Sequence, residues 1–144
     1  MLISLHVKNF AIINEVEIYF KNHLNILTGE TGAGKSIIID SINCALGAKV
    51  SKDIIRKGAD FALVELVFET KSPAVFEAMN SFDIPMEDNL VIISRKIMPN
   101  RSIYKLNGEN VTRNIISSVA QLLIDIHGQH EHQSLLNKAK HLEI

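Results

Sequence analysis

The sequence is poor in cysteine, in long apolar runs and in surplus charge of either sign. Its 144 residues include one cysteine, Cys44, which cannot form an internal disulfide and so fits the reducing cytoplasm. No apolar run approaches the roughly 18 residues of a membrane-spanning helix. The first residues lack the charged start and long apolar stretch of a signal peptide. Because the formal net charge is −1, a surface for nucleic acid would have to be local or supplied by another segment.

The most informative motif is the glycine-rich run from Gly29 to Ser36, Gly-Glu-Thr-Gly-Ala-Gly-Lys-Ser. It matches the phosphate-binding loop G-x-x-x-x-G-K-[ST], in which small residues let several backbone N–H groups point at one phosphate. Lys35 adds a compact charge for the β- and γ-phosphates, and Ser36 offers a hydroxyl to Mg²⁺. The predicted nucleotide-binding residues are Gly29, Glu30, Thr31, Gly32, Ala33, Gly34, Lys35, Ser36 and Ile37.

The residues on either side of this motif favour a strand, a loop and a helix in succession. Leu24 to Thr28 is a short apolar run suited to a buried strand. Ile37 to Leu46 has apolar residues at helical spacing and is closed by Gly47. A glycine loop that leads into a helix N-terminus is the arrangement that binds phosphate.

Period-two alternation predicts antiparallel strands before the motif and more strands after it. Leu2–Lys8 and Ile13–Phe20 are expected to pair as a hairpin. The later predicted strands are Ala62–Glu69, Leu90–Met98, Ile103–Leu106 and a short buried one at Leu123–Ile126. Strands that pair in an antiparallel way before the phosphate loop are unlike small kinases and GTPases, where the loop usually follows the first strand of a parallel sheet.

Two further helices and one turn are marked by their end residues. Ser72 can cap a helix over Pro73–Asn80, where proline suits the first turn. Thr112 can cap a helix that runs to about Leu123. Asn107-Gly108 is a tight-turn signal.

Four segments of the chain resemble the ATPase heads of the SMC family. They are the opening Val7–Phe10, the phosphate loop, the hairpin Tyr104–Gly108, and Leu123–Gln133, which resembles the glutamine loop of the bacterial DNA repair members. The resemblance implies an α/β fold, that of a P-loop NTPase of the ABC/SMC head type. It also implies antiparallel strands beside a mixed sheet.

The same resemblance implies a split head, of which residues 1–144 are the N-terminal lobe. The sequence has no Walker B segment, no Leu-Ser-Gly-Gly signature and no switch histidine in its expected setting. The coiled coil and the C-terminal lobe that carry them in the family are therefore expected outside these residues. The implied partners are that C-terminal lobe, a second head across sandwiched ATP, and DNA during double-strand break repair. An ATPase is expected of the complete protein, with this segment inactive alone.

The resemblance also assigns roles to individual residues. Lys35 and Gln129 are the implied catalytic residues, and Ser36 and Gln129 the implied Mg²⁺ ligands. A glutamine amide can bridge metal and attacking water without changing charge, although Gln133 is a rival for this position. The spacing of His127, His130 and His132 does not match the usual zinc templates, so a solvated loop or an interface is favoured there.

The segment after the predicted helix is rich in cations. Lys49, Lys52, Arg56 and Lys57 are candidates for contacts with DNA phosphates or with a partner head. A solvated basic loop is the simpler interpretation of the same residues. Two rival functions stay open: a small P-loop kinase or GTPase that acts as this chain alone, and a non-catalytic, nucleotide-dependent DNA tether.

Overall fold

Six strands form one antiparallel sheet, with three α-helices, in the part of the chain that the structure describes. The computed structural model describes residues 1–20 and 32–127, with side chains over residues 1–20 and 36–123. The strands are β1 (Leu2–Phe10), β2 (Ile13–Tyr19), β3 (Ala62–Glu69), β4 (Leu90–Ile97), β5 (Ser102–Leu106) and β6 (Glu109–Val111), in the spatial order β2-β1-β3-β4-β5-β6. The helices are α1 (Gly32–Ala45), α2 (Pro73–Ser81) and α3 (Arg113–His127), with a 3₁₀ turn at Lys52–Ile54.

The alternation in the strands buries one face of this sheet. Along β3, for example, Ala62, Val64, Leu66 and Phe68 are buried while the residues between them are half-exposed. Helix α1 packs against β1, β3 and β4, and α3 packs against β5 and α2. The helix that carries the second half of the glycine-rich motif therefore lies across the middle of the sheet.

The predicted hairpins are confirmed. Strands β1 and β2 pair in antiparallel register, with Lys8 opposite Glu15 and Phe10 opposite Ile13. Asn107 and Gly108 both have positive φ (48° and 86°), as a two-residue hairpin turn requires. That turn leads into β6, a three-residue strand that the sequence did not reveal because it is too short to show alternation. The predicted strand Leu24–Thr28, which would belong to the mixed sheet, lies outside the described residues.

The prediction of a buried strand at Leu123–Ile126 is wrong. Helix α3 continues without a break from Arg113 to His127. Its buried residues Ile116, Val119, Ala120 and Leu123 follow helical spacing, and no glycine or proline interrupts the chain before Gly128. A short apolar run is compatible with strand or helix, and here the helix already under way decides between them.

Both predicted helix caps are present. The N–H of Val75 donates to Ser72 Oγ at 3.5 Å, and the N–H of Ile115 donates to Thr112 Oγ1 at 3.3 Å. These side chains satisfy N–H groups that the first turn of a helix leaves without partners. The caps fix where α2 and α3 begin.

Gly47 ends α1 in a backbone conformation that other residues rarely adopt, with φ of 110°. A Cβ atom at Gly47 would lie 3.2 Å from Ser117 Oγ on α3. We expect Gly47→Ala to lower the free energy of unfolding by about 1–2 kcal/mol or more, measured by urea denaturation. Gly58 is the matched control, because its φ is 91° but nothing lies within 4 Å of a Cβ there. Equal losses in the two variants would show that the approach of α3 to Gly47 adds no cost.

Candidate functional site

The glycine-rich motif runs into the start of α1. The helix begins at Gly32, so Gly32 to Lys35 form its first turn and Ser36 follows them. The first four N–H groups of a helix have no intrahelical acceptor, and the helix dipole places partial positive charge there. Ser36 is exposed and Ile37 is half-buried against the core. This end of α1 suits a bound phosphate, and the exposed Ser36 can offer its hydroxyl to a metal cation beside that phosphate. Gly29, Glu30 and Thr31 lie outside the described residues.

The body of α1 is fixed by burial. Ile42, Cys44 and Ala45 are buried among the strand residues of the core. Ser41 is also buried, and its hydroxyl donates to the carbonyl of Ile38 at 2.7 Å, so it is not left without a partner. These residues anchor the helix and carry no chemistry of their own.

Arg95 on β4 holds the far end of α1. Its side chain is buried, and its Nη1 donates to the carbonyl oxygens of Cys44 at 2.9 Å and Ala48 at 2.6 Å. Its Nε donates to Ser102 Oγ at 3.0 Å, and its guanidinium carbon lies 4.9 Å from the centre of the Tyr104 ring. Carbonyls at a helix C-terminus lack intrahelical donors and attract cations. Arg95 therefore ties the end of α1 to strands β4 and β5.

A second arginine supports the same end from α3. Arg113 donates from Nε to the carbonyl oxygen of Gly47 at 2.6 Å. Sequence reasoning missed both arginines. The available signal for Arg95 was its position in β4, where it takes the place of an inward residue between the buried Ile93 and Ile97.

Cys44 is a core residue, as its position in the helix predicts. Its side chain is buried, and burial raises the pKa of the thiol to about 11, although the nearby Arg95 acts to lower it. A thiol with so high a pKa is almost fully protonated at neutral pH and is a poor nucleophile.

The structure divides the predicted basic segment into two places. Lys52, Arg56 and Lys57 are exposed beside the β1–β2 turn. The N–H of Ala11 donates to the carbonyl of Ile54 at 2.6 Å, and the N–H of Arg56 donates to that of Asn9 at 2.8 Å. Lys49 instead lies in a cleft at the end of α1, with Arg95, Tyr104 and Arg113.

Several predicted site residues fall beyond what the structure describes. Gln129, its rival Gln133, His130 and His132 lie outside the described residues, as does the side chain of His127. Among residues whose side chains are described, no group of three or more histidine, cysteine, aspartate or glutamate residues is placed to hold a metal. None of the described helices is both long and apolar enough to cross a membrane.

Comparison with known proteins agrees with this geometry. Residues 4–142 match the family described as the AAA domain, and the chain belongs to that family. More narrowly, it is similar to RecN proteins and to SMC head structures. It is 44% identical over its whole length to the DNA repair protein RecN of Halalkalibacterium halodurans, and 39% identical to RecN of Bacillus subtilis. The chain covers 26% and 25% of those two proteins, about a quarter of their length.

Solved structures place the same fold among SMC heads. One, from work on ATP-driven dimerization and DNA-stimulated activation of SMC ATPases, has a TM-score of 0.65 and 28% identity over 83% of this chain and 77% of its own. An Smc head bound to the C-terminal winged-helix domain of ScpA has a TM-score of 0.60 and 26% identity, over 85% of this chain and 40% of its own. The predicted fold class, a P-loop ATPase head of the SMC type, is thereby confirmed.

We expect Arg95→Met to loosen the end of α1, because the carbonyl of Ala48 loses its described donor and the carbonyl of Cys44 keeps the N–H of Gly47 but loses the guanidinium. The free energy of unfolding should fall by about 2–4 kcal/mol. Alkylation of Cys44 at pH 8 should be slow in the unaltered chain and markedly faster in the variant.

Lys96→Met is the matched control for Arg95→Met. Lys96 is the next residue of β4, points to the opposite face and lies 4.5 Å from the centre of the Phe61 ring. If Cys44 is alkylated equally slowly in both variants, Arg95 is not the residue that shields Cys44 at this end of α1.

Proposed function

We propose that this chain is the N-terminal lobe of a split ABC-type ATPase head and binds the phosphates of ATP with Mg²⁺. The observation that carries the proposal is the start of α1 at Gly32, inside the glycine-rich motif, with Ser36 exposed beside that end. Backbone N–H groups of the first turn would bind the phosphate, and the hydrogen bonds from Arg95 and Arg113 at the other end hold the helix in place. The structural relative described by the ATP-driven dimerization of SMC ATPases supports ATP as the ligand.

In this proposal the residues of the chain divide the work of binding and hydrolysis. Residues Gly29 to Ile37 hold the phosphates, with Lys35 reaching the β- and γ-phosphate oxygens. Ser36 would hold the Mg²⁺, which neutralises phosphate charge when bound. Gln129 would orient the attacking water and complete the metal site. The rest of the machinery would come from the C-terminal lobe and from a second head.

For the complete protein we propose an ATPase of DNA double-strand break repair and recombination, working in the bacterial cytoplasm at the nucleoid. The relatives at 44% and 39% identity are DNA repair proteins, and a structural relative is described by its ATP-driven dimerization. By analogy, two heads would sandwich ATP, and hydrolysis would open the pair. Lys52, Arg56 and Lys57, held at the β1–β2 turn, would face DNA or the partner head.

The described sheet weighs against a small kinase or GTPase. All six of its strands pair in an antiparallel way, and β1 and β2 precede the motif. A tether that binds nucleotide without hydrolysing it would differ from the proposed ATPase in the C-terminal lobe. A Walker B glutamate in that lobe would argue for hydrolysis.

We expect Lys35→Ala to weaken ATP binding in the reassembled head by more than tenfold, about 1.4 kcal/mol, because the phosphates lose the ammonium group of Lys35. Titration with a fluorescent ATP analogue measures this. Lys71→Ala is the control, because Lys71 is an exposed lysine before α2 and far along the sequence from the motif. An affinity unchanged by Lys35→Ala would refute phosphate binding by this loop.

We also expect residues 1–144 alone to show no ATP turnover, because phosphoryl transfer needs groups that this segment lacks. A phosphate-release assay, run with and without the C-terminal lobe, measures it. In the reassembled head, Gln129→Ala should lower turnover while leaving ATP affinity within a few fold. Turnover by residues 1–144 alone that disappears with Lys35→Ala would favour a small enzyme instead.

A further inference from the structure

A cationic cleft lies at the C-terminal end of α1, at the opposite end of the helix from the glycine-rich motif. It has a volume of about 250 Å³ and is open to solvent. It is lined by Gly47, Ala48, Lys49, Val50, Arg95, Tyr104 and Arg113. Three separate parts of the fold meet here: the end of α1 with the residues after it, strands β4 and β5, and the start of α3. Since α1 has 14 residues at about 1.5 Å each, its two ends are about 20 Å apart.

The positive charge of this cleft has no balancing carboxylate in the described part of the chain. Its lining includes three cationic side chains, Lys49, Arg95 and Arg113, and no aspartate or glutamate. The carbonyls at the end of a helix offset only about half a unit of charge. Buried charges in proteins are normally paired, yet Arg95 is 7% exposed and its described polar partners are uncharged. Capping of the C-terminal end of α1 accounts for the positions of Arg95 and Arg113. It does not account for the third cation of the cleft, Lys49.

The donors around the cleft suit a tetrahedral anion. Lys49 comes from the segment after α1, Arg113 from α3 and Tyr104 from β5, so three separate elements supply the donors. The Tyr104 hydroxyl is protonated at neutral pH and can donate, and burial raises its pKa further although Arg95 and Arg113 act to lower it. Arginine presents a planar fork and lysine a compact charge, which together match the several oxygens of a phosphate better than the two coplanar oxygens of a carboxylate.

We propose that the cleft formed by Lys49, Arg95, Tyr104 and Arg113 is a phosphate-binding site, distinct from the phosphate loop. The ligand is a phosphate group, either a free phosphate or a backbone phosphate of a nucleic acid. Arg95 is committed to the end of α1 and supplies fixed positive charge. Arg113 and Lys49 are exposed and supply the adjustable contacts. A ligand in this cleft would lie at the C-terminal end of α1, the helix that carries Ser36 near its other end.

The chain itself offers a probe for this site, because it has two tyrosines and no tryptophan. Tyr19 is 60% exposed on β2, whereas Tyr104 lines the cleft. In residues 1–144 expressed alone, Tyr19→Phe leaves Tyr104 as the sole tyrosine. In this background, inorganic phosphate added at constant ionic strength should change the tyrosine emission in a saturable way, while acetate should not. A response of equal size to acetate, or no saturable response to phosphate, overturns the proposal.

Charge-removing variants test whether the response comes from this cleft. Arg113→Gln should weaken phosphate binding by about tenfold and Lys49→Gln by several-fold, whereas Lys71→Gln should leave it unchanged. Circular dichroism checks that each variant is folded. Lys35→Ala should leave the Tyr104 response intact, which separates this site from the phosphate loop. Loss of the response in Lys35→Ala, or its persistence at full affinity in Arg113→Gln, overturns the proposal.

A last measurement distinguishes the two sources of phosphate. In the complete protein, the affinity for a short DNA duplex is measured over a range of salt concentrations. If the cleft takes a backbone phosphate, Lys49→Gln should reduce the log–log salt slope by about 0.9. An unchanged slope together with an intact phosphate response assigns the cleft to free phosphate. This part depends on the proposed action on DNA, whereas the fluorescence titration does not.

Discussion

The hydrogen bonds from Arg95 to the end of α1 are the interaction on which the rest of this structure depends. One buried guanidinium joins the carbonyls of Cys44 and Ala48 to Ser102 and the ring of Tyr104. Polar backbone groups at the end of a buried helix must find partners, because an unsatisfied carbonyl there costs about 1–3 kcal/mol. Arg95 meets that requirement for Ala48, shares it with the N–H of Gly47 for Cys44, and fixes the helix relative to β4 and β5.

A fixed C-terminal end has consequences for the N-terminal end of the same helix. The helix α1 starts at Gly32, inside the glycine-rich motif, and packs across β1, β3 and β4. A phosphate site built on a rigid helix needs no reorganisation of that helix when ligand binds. The sheet, Arg95 and Arg113 thus fix the helix into which the glycine-rich motif runs.

The β1–β2 turn has a similar supporting role for the exposed basic residues. Asn9 and Ala11 have positive φ, 55° and 54°, and both bond to the segment that contains Arg56. Such a backbone conformation is costly for alanine and persists because these contacts impose it. The segment is therefore presented in a defined place although it has almost no regular secondary structure.

The sequence alone determined the elements whose cause is local. Alternation located β1, β3 and β4, Ser72 and Thr112 marked helix starts, and Asn107-Gly108 marked a turn, because each depends on a few neighbouring residues. The motif from Gly29 to Ser36 likewise identified a phosphate loop from residue types and spacing, and the sequence comparisons agree in family.

Tertiary structure decided what depends on residues distant in sequence. Leu123–Ile126 continues α3 instead of forming a strand, because a short apolar run fits either state until its neighbours are known. Lys49 lines the cleft at the end of α1, whereas the segment that holds Arg56 is tied to the β1–β2 turn by backbone hydrogen bonds to Asn9 and Ala11. Arg95 meets the end of α1 across 51 residues, a contact that no local pattern encodes because only packing brings the two segments together.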